Sequence, residues 1–376
     1  MKIGIISTGV FPCPPVGYSG LEMIAWQVAT GLAAKGHEVT LFAPDGSICQ
    51  DGEVFFTGPP GSSDEKQAYS RYWQELPKYQ VILDHSWQKW SYILKEEGRL
   101  KETVIVSTLH APVSTMYQTL PPVEKPSFVC ISEDQASHFR ALHGRDCRVA
   151  KNGVDTEFYQ PLNVPRTSRF LFLARFSSIK GADIAITVCN PERNISMGEH
   201  CDYCDNGCDV PYPHGCIHCG IGWSTGLDLV GDVTITGEPE YLTKCQAMAD
   251  GKRIKIHGGV PRGQTVWWYS QAHCFLHPNQ RFREPLGLAP LEAQACGLPV
   301  IAWRFGAMTE TVKDGETGTL VNSVADMALA VRKWSEPISP EIRNRCREWA
   351  ASNFSLERMI SRYEELCVEA LDTGGW

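Results

Sequence analysis

REPLGLAPLEAQACGLPVIAW, residues 283–303, sets two glutamates, Glu284 and Glu292, eight positions apart around a turn that contains Gly287. A helix beginning near Leu288–Pro290 suits the run, because a proline in the first helical turn has no intrahelical N–H bond to lose. The free N–H groups of Gly287, Leu288 and Ala289 then make an anion site at that helix's N-terminus. Glu284 falls on the loop before it and Glu292 within its first turns. One carboxylate can therefore reach hydroxyls on one side of a bound diphosphate, and the other those on its opposite side. Acids at a helix start are also favoured by the helix dipole alone, so the pair by itself leaves a structural role open. PVIAW ends the stretch as a β-rich run, giving loop, helix and strand in succession.

The same alternation extends outward in both directions. RFLFLARF (169–176), DVTITG (232–237), KRIKIHGG (252–259) and CFLHP (274–278) read as strands, and KGADIAITV (180–188) begins a helix. In the first half KIGIIS, EVTLFAP, YQVILDHS, TVIVSTLH and SFVCIS are strand-like, and GLEMIAWQVATGLAAKGH has helical spacing closed by Gly36. Strands alternating with helical patterns predict parallel, doubly wound sheets. Two such series, separated by the turn-rich KNGVD (151–155), predict two Rossmann-like domains, 1–150 and 151–354. Ligands of such sheets bind at the carboxyl ends of strands, which gathers Gly17–Gly20, Asp84, His85 and His110 around one crevice. ARFSSIKG (174–181) places Arg175 at a strand's carboxyl end and Lys180 at a helix start. A planar fork and a point charge both suit phosphate oxygens, although a lone cation pair is more often a solvated surface.

A net charge of −8 over 376 residues argues against a general nucleic-acid binder, which needs a basic stripe. The N-terminus breaks too early at FPCPPVG for a signal peptide, and no apolar run approaches the length of a membrane span. These features predict a cytoplasmic protein. Of the 15 cysteines most are scattered, and Cys130, Cys147, Cys274 and Cys296 sit in apolar segments as small hydrophobes.

With these elements in this order the chain resembles the retaining glycosyltransferases of family 4, which have the GT-B fold. The resemblance rests on VGYSGLE, KNGVD, ARFSSIKG, the E-x7-E motif EPLGLAPLE and the tail ACGLPVIAWRFGAMTETVKDGETGTLV. It spans nearly the whole chain apart from roughly 190–226. The first turn lacks a GxGxxG fingerprint, which counts against a dinucleotide enzyme. The resemblance implies two domains facing across a cleft, with the final helix (355–376) crossing back to the N-terminal one. Phe354, Leu356, Ile360, Tyr363 and Leu366 would face that groove. It implies that Arg175 and Lys180 hold the donor diphosphate, that Glu292 binds the ribose, and that Glu284 with the 286–289 backbone grips the sugar. Gly17, Tyr18 and Gly20 would lie beside donor phosphate and acceptor, His110 would approach a substrate hydroxyl, and Asp84 and His85 would lie near the acceptor. Catalysis would need no metal.

The expected activity is transfer of a sugar from a UDP- or GDP-linked donor to a hydroxyl of a carbohydrate, lipid-linked or small-molecule acceptor. Another GT-B activity, such as sugar-phosphate synthesis or nucleotide-sugar epimerisation, and a non-catalytic sugar- or protein-binding scaffold are the alternatives. Tyr18, Trp26, Trp87 and Trp90 could line an acceptor crevice, although aromatic residues there more often pack in a core.

One segment departs from the family pattern. EHCDYCDNGCDVPYPHGCIHCG (199–220) lies within an insertion at 190–226 and carries Cys201-x2-Cys204 and Cys216-x2-Cys219. Two such hooks match a closed, structural four-cysteine zinc site, with Cys208 as an alternate ligand and His200 and His214 close enough to compete. An iron–sulfur cluster or a redox disulfide shares the same spacing. The insertion follows a helix and precedes a strand's amino end, away from the expected donor crevice. It is therefore expected to serve assembly or partner binding.

Overall fold

The computed structural model describes residues 1–17, 19–120, 125–190, 225–233 and 237–376. Tyr18 and the cysteine hooks, including Cys201, Cys204, Cys208, Cys216 and Cys219, lie outside the described residues. By its contacts the chain divides into Met1–Gly153 with Phe354–Trp376, and Val154–Asn353.

The first unit is built on a parallel sheet. Its strands are β1 (Lys2–Ile6), β2 (Glu38–Ala43), β3 (Glu53–Phe56), β4 (Val81–Asp84), β5 (Val104–Leu109), β6 (Phe128–Cys130) and β7 (Arg148–Val149). Their order is β3-β2-β1-β4-β5-β6-β7. The central strands β1, β4 and β5 are buried almost throughout because helices cover both faces of a doubly wound sheet. The order reverses between β1 and β4, which makes their carboxyl ends the topological switch point. β3 escapes the sequence pattern because it is short and only half-buried.

Helix Leu356–Thr373 completes this unit. Met359, Ile360, Tyr363, Leu366, Cys367 and Ala370 form its buried stripe at helical spacing. It lies against helix Gly20–Ala34, where Gly31 leaves room for Ile360, and Tyr363 Oη is 3.0 Å from Thr108 Oγ1 of β5. Phe354 is buried as expected, while Leu356 is only half-buried.

The second unit carries β8 (Phe170–Leu173), β9 (Leu227–Val230), β10 (Ile254–His257), β11 (Phe275–His277), β12 (Val300–Trp303) and β13 (Gly318–Val321). All pairs are parallel, in the order β10-β9-β8-β11-β12-β13. Its switch point falls between β8 and β11. Here the sequence pattern missed one element. LDLV, just before DVTITG, is a strand; Asp232 and Val233 lie in the loop after it, and Thr234, Ile235 and Thr236 of the expected strand lie outside the described residues. Asp228 breaks the apolar run in sequence, but Arg169 neutralises it through a two-pronged contact at 2.7 and 3.0 Å, so the strand is buried at every position. Cys130, Cys147, Cys274 and Cys296 are all buried.

β9 ends where its chain passes very close to that leaving β8. A Cβ at Gly231 would stand 1.9 Å from the carbonyl oxygen of Ala174, a backbone atom that cannot swing away. Gly231→Ala is expected to push Ala174 and Arg175 aside and to lower stability by about 3 kcal/mol. A urea titration checks this through a lower midpoint at unchanged slope.

Candidate active site

In the second unit the switch point gathers the loops that follow β8 and β11. The β8 loop carries Arg175 and a single tight turn, Ser178–Lys180. Gly181 follows at φ 78°, and a side chain there would meet the Pro278 carbonyl oxygen at 2.5 Å. This close approach sets Lys180 beside the β11 loop, where its Nζ lies 2.6 Å from Glu284 Oε2. Asn279 Nδ2 donates to the same oxygen at 3.2 Å. The ammonium also stands over the Phe282 ring, 5.6 Å from its centroid.

A second knot holds the turn from behind. Asp183 accepts from Tyr241 Oη at 2.6 Å, Lys244 Nζ at 2.9 Å and both Arg281 amino groups at 3.2 and 3.3 Å. Burial works to raise its carboxyl, but these partners prevail and hold it down at about 2. Arg281 also donates to the Ser178 carbonyl oxygen at 2.8 Å, which ties the turn to the β11 loop. Glu238 caps the other side, accepting from the Ser177 hydroxyl at 2.7 Å and the Ser178 amide at 3.1 Å.

The two glutamates of the opening stretch have opposite electrostatics. Burial favours the neutral form of Glu284, yet Lys180, His277 and Arg175 outweigh it and pull its pKa below the usual carboxylate value. Glu292, on helix Leu288–Ala295, is raised by burial despite hydrogen bonds from Tyr159 and Tyr269, the latter at 2.9 Å. Gly287 stands at the start of that helix at φ 84°, with no side chain capping the first-turn amides of Leu288 and Ala289. His277 ends β11; burial and Lys180 push its imidazole down to about 4, against the pull of Glu284. Its Nε2 and Arg175 Nε are both buried without a partner among the described residues. Polar atoms left so are costly unless a ligand meets them, and Arg175 offers donors that suit an anion.

A cavity of about 650 Å³ opens at the carboxyl end of β10. His257, Gly258, Gly259, Gln264, Trp267 and Trp268 line it. Sequence reasoning passed over it, along with His277 and Asn279. The ends of β10 and β11, HGG and HPN, were visible as strand termini at which such sheets bind ligands.

In the first unit, the β4 and β5 ends carry a buried polar cluster. Asp84 accepts from the Ser86 amide at 2.9 Å and from the hydroxyls of Ser86 and Ser91. Lys89 Nζ donates to the carbonyl oxygens of Asp84 at 2.8 Å and Thr108 at 2.9 Å, so it staples β4 to β5. Asp84 is thus consumed in holding its own loop and presents no open edge. His85 Nδ1 lies 2.9 Å from His110 Nε2. His85 is wholly buried, while His110 is partly exposed. Burial first, then Lys89, pushes His85 down to about 3, and burial, His85 and Lys89 push His110 well below its usual value. Gly17 is exposed in the β1 loop and Gly20 opens helix Gly20–Ala34. Glu22 in that helix accepts from the Thr8 and Ser19 hydroxyls, which ties both residues to the helix. Trp87 packs against this unit's core and Trp90 stacks on Tyr69, so both serve packing, and Trp26 is half-buried.

The two units thus share an architecture and each carries a polar cluster at its switch point, the pattern of a GT-B glycosyltransferase. Comparison with known proteins narrows this. A family model described as Glycosyltransferase Family 4 matches residues 18–158, and one described as Glycosyl transferases group 1 matches 227–352. The D-inositol 3-phosphate glycosyltransferase of Arthrobacter sp. (strain FB24) is 23% identical over 410 residues, covering 94% of this chain and 90% of that protein. Spore coat protein SA of Bacillus subtilis (strain 168) is 23% identical over 403 residues, 97% of this chain and all of that one. Among solved structures, Anabaena HepE in complex with UDP-glucose superposes with a TM-score of 0.71 at 17% identity, covering 99% of this chain and 100% of that one. Sucrose-phosphate synthase from Thermosynechococcus elongatus gives 0.73 at 18% identity, covering 99% of each chain. The chain is a GT-B glycosyltransferase of the group 1 and family 4 type, and these matches and relatives make it a hexosyltransferase.

The Lys180–Glu284 pair gives a direct prediction. Lys180→Met leaves a buried carboxylate without its cation, which costs about 3–5 kcal/mol. In the wild type the lowered Glu284 pKa contributes stability above its unfolded value, and that contribution is lost as pH falls through the folded one. In Lys180→Met the carboxyl pKa rises instead, so thermal melts against pH should show the variant most impaired near neutrality and least impaired in acid.

Proposed function

We propose that the protein transfers a hexosyl group, with retention, from a nucleoside-diphosphate sugar to a hydroxyl acceptor. The observation that carries this is the arrangement of Arg175, Lys180 and Glu284 at the second unit's switch point, beside the uncapped start of helix Leu288–Ala295. Arg175 and Lys180 would take the diphosphate, whose oxygens gain charge as the sugar leaves. Preorganised cations and backbone amides are the largest expected source of rate there. Glu284 and the amides of Gly287, Leu288 and Ala289 would hold the sugar, and Glu292 the ribose. The cavity beyond β10, with its tryptophan wall, suits a planar base. HepE, a structural neighbour, was solved with UDP-glucose, which supports a uridine donor.

The first unit would serve the acceptor. His110, the partly exposed member of its pair, would meet a substrate oxygen, with Gly17, Tyr18 and Gly20 in the loop beside it. His85 and Asp84 would support it from behind. The ionised carboxylate of the second cluster, Glu284, is engaged by Lys180 and Asn279, and Asp84 of the first by its own loop, which favours a front-face transfer in which the leaving phosphate takes the acceptor proton. Incubation with UDP-, GDP- and ADP-sugars tests the reading. Nucleoside diphosphate should be released only when an acceptor is present, and NMR of the product should show the donor's anomeric configuration. Inverted product, or release that ignores acceptors, would reject it.

The paired spacing of Cys201, Cys204, Cys216 and Cys219 supports a structural zinc site, with Cys208 as alternate, in a lobe that would serve self-association or a protein partner. Elemental analysis of the purified protein should find about one zinc per chain. Iron in its place, or neither metal, would overturn this assignment. No described helix is long and apolar enough to cross a membrane, and the proposed chemistry calls for no membrane span.

A further inference from the structure

The polar partners of His85 and His110 bear on which nitrogen of each ring carries the proton. Both imidazoles are neutral at physiological pH, so one hydrogen lies between His85 Nδ1 and His110 Nε2, 2.9 Å apart. Two arrangements exist. In one, His85 Nδ1–H donates to His110 Nε2, which leaves a bare lone pair at His85 Nε2 and an N–H at His110 Nδ1. In the other, His110 Nε2–H donates to His85 Nδ1, which leaves an N–H at His85 Nε2 and a lone pair at His110 Nδ1.

His85 Nε2 decides between them. It is buried and has no partner among the described residues. Folded proteins leave buried acceptors unmatched more readily than buried donors. The arrangement that strands a lone pair there is therefore favoured over the one that strands an N–H. The ring has little freedom to escape the choice. Its backbone amide donates to the Ile6 carbonyl oxygen at 2.9 Å, and its face packs on Tyr363 at 5.5 Å between centroids. Besides Tyr363, the charged and titratable groups around the pair include Lys89, whose ammonium acts on both rings, with Asp84 and Glu65 beside that lysine, and Tyr117, whose hydroxyl oxygen takes the His110 amide at 3.3 Å.

We infer that His85 is a positioning residue that locks His110 in its Nδ1–H form, so that His110 meets the substrate as a neutral hydrogen-bond donor and does not act as a base. The inference rests on the proposed reading of His110 as substrate-facing. It deepens that reading by stating what the residue contributes: a donor to a sugar or acceptor oxygen.

Nitrogen-15 NMR of the histidine-labelled full chain tests it without requiring turnover. His110 should show a protonated Nδ1 and a pyridine-like Nε2 at neutral pH, and His85 the same tautomer. His85→Leu should release His110 to a mixture of tautomers and lower kcat about tenfold with donor KM little changed. His85→Asn, whose amide N–H sits where Nδ1–H did, should restore most of the rate. A protonated Nε2 on His110, or equal losses in His85→Leu and His85→Asn, would overturn the inference. The substrate-facing reading fails separately: His110→Leu with undiminished turnover would remove it whatever the tautomer.

Discussion

The contact between Lys180 and Glu284 organises the second unit's site. It joins the loop after β8 to the loop after β11, the two strands between which the sheet order reverses. A buried ion pair is weak evidence of stability in itself, because both charges were removed from water to make it. Its value here is geometric. Asp183, Tyr241, Lys244 and Arg281 brace the turn that carries Lys180, and Asn279 shares the oxygen of Glu284 that Lys180 takes. The result is a carboxylate kept ionised and a cation kept in place before any ligand arrives. Preorganisation of that kind spares the reorganisation that a polar site would otherwise require as charge develops.

The first unit solves the same problem with different residues. Lys89 joins β4 to β5 through two carbonyl oxygens, and Asp84 spends its carboxylate on the loop between them. His85 and His110 then stand at the two strand ends within hydrogen-bond distance. In both units a buried lysine spans the switch point or its neighbour and joins the ends of two adjacent strands. The buried stripe of the last helix, through Tyr363 and Thr108, fixes the same strand end from behind.

Much of this was legible in the chain. Alternating apolar runs and helical spacings gave the doubly wound class, and the E-x7-E stretch with ARFSSIKG gave the residues that meet at the second switch point. What escaped is physically explicable. LDLV does not look like a strand because the pattern cannot show that Arg169 neutralises Asp228. The sequence places Asp84 near the acceptor but cannot show that its carboxylate is taken by hydroxyls two and seven residues further on. His277 and Asn279 were hidden because their part depends on β11 lying next to β8, a pairing set by topology and absent from local sequence.

The proposed function makes the second unit's switch point a diphosphate site whose open donor is Arg175. The most direct measurement is calorimetric titration of the full chain with UDP, GDP and ADP, set beside the Arg175→Ala variant. One of these nucleotides is expected to bind the wild type, and Arg175→Ala to weaken its affinity at least tenfold, with the folded state intact by circular dichroism. Equal affinity in the two proteins, or no binding of any of the three to the wild type, would contradict it.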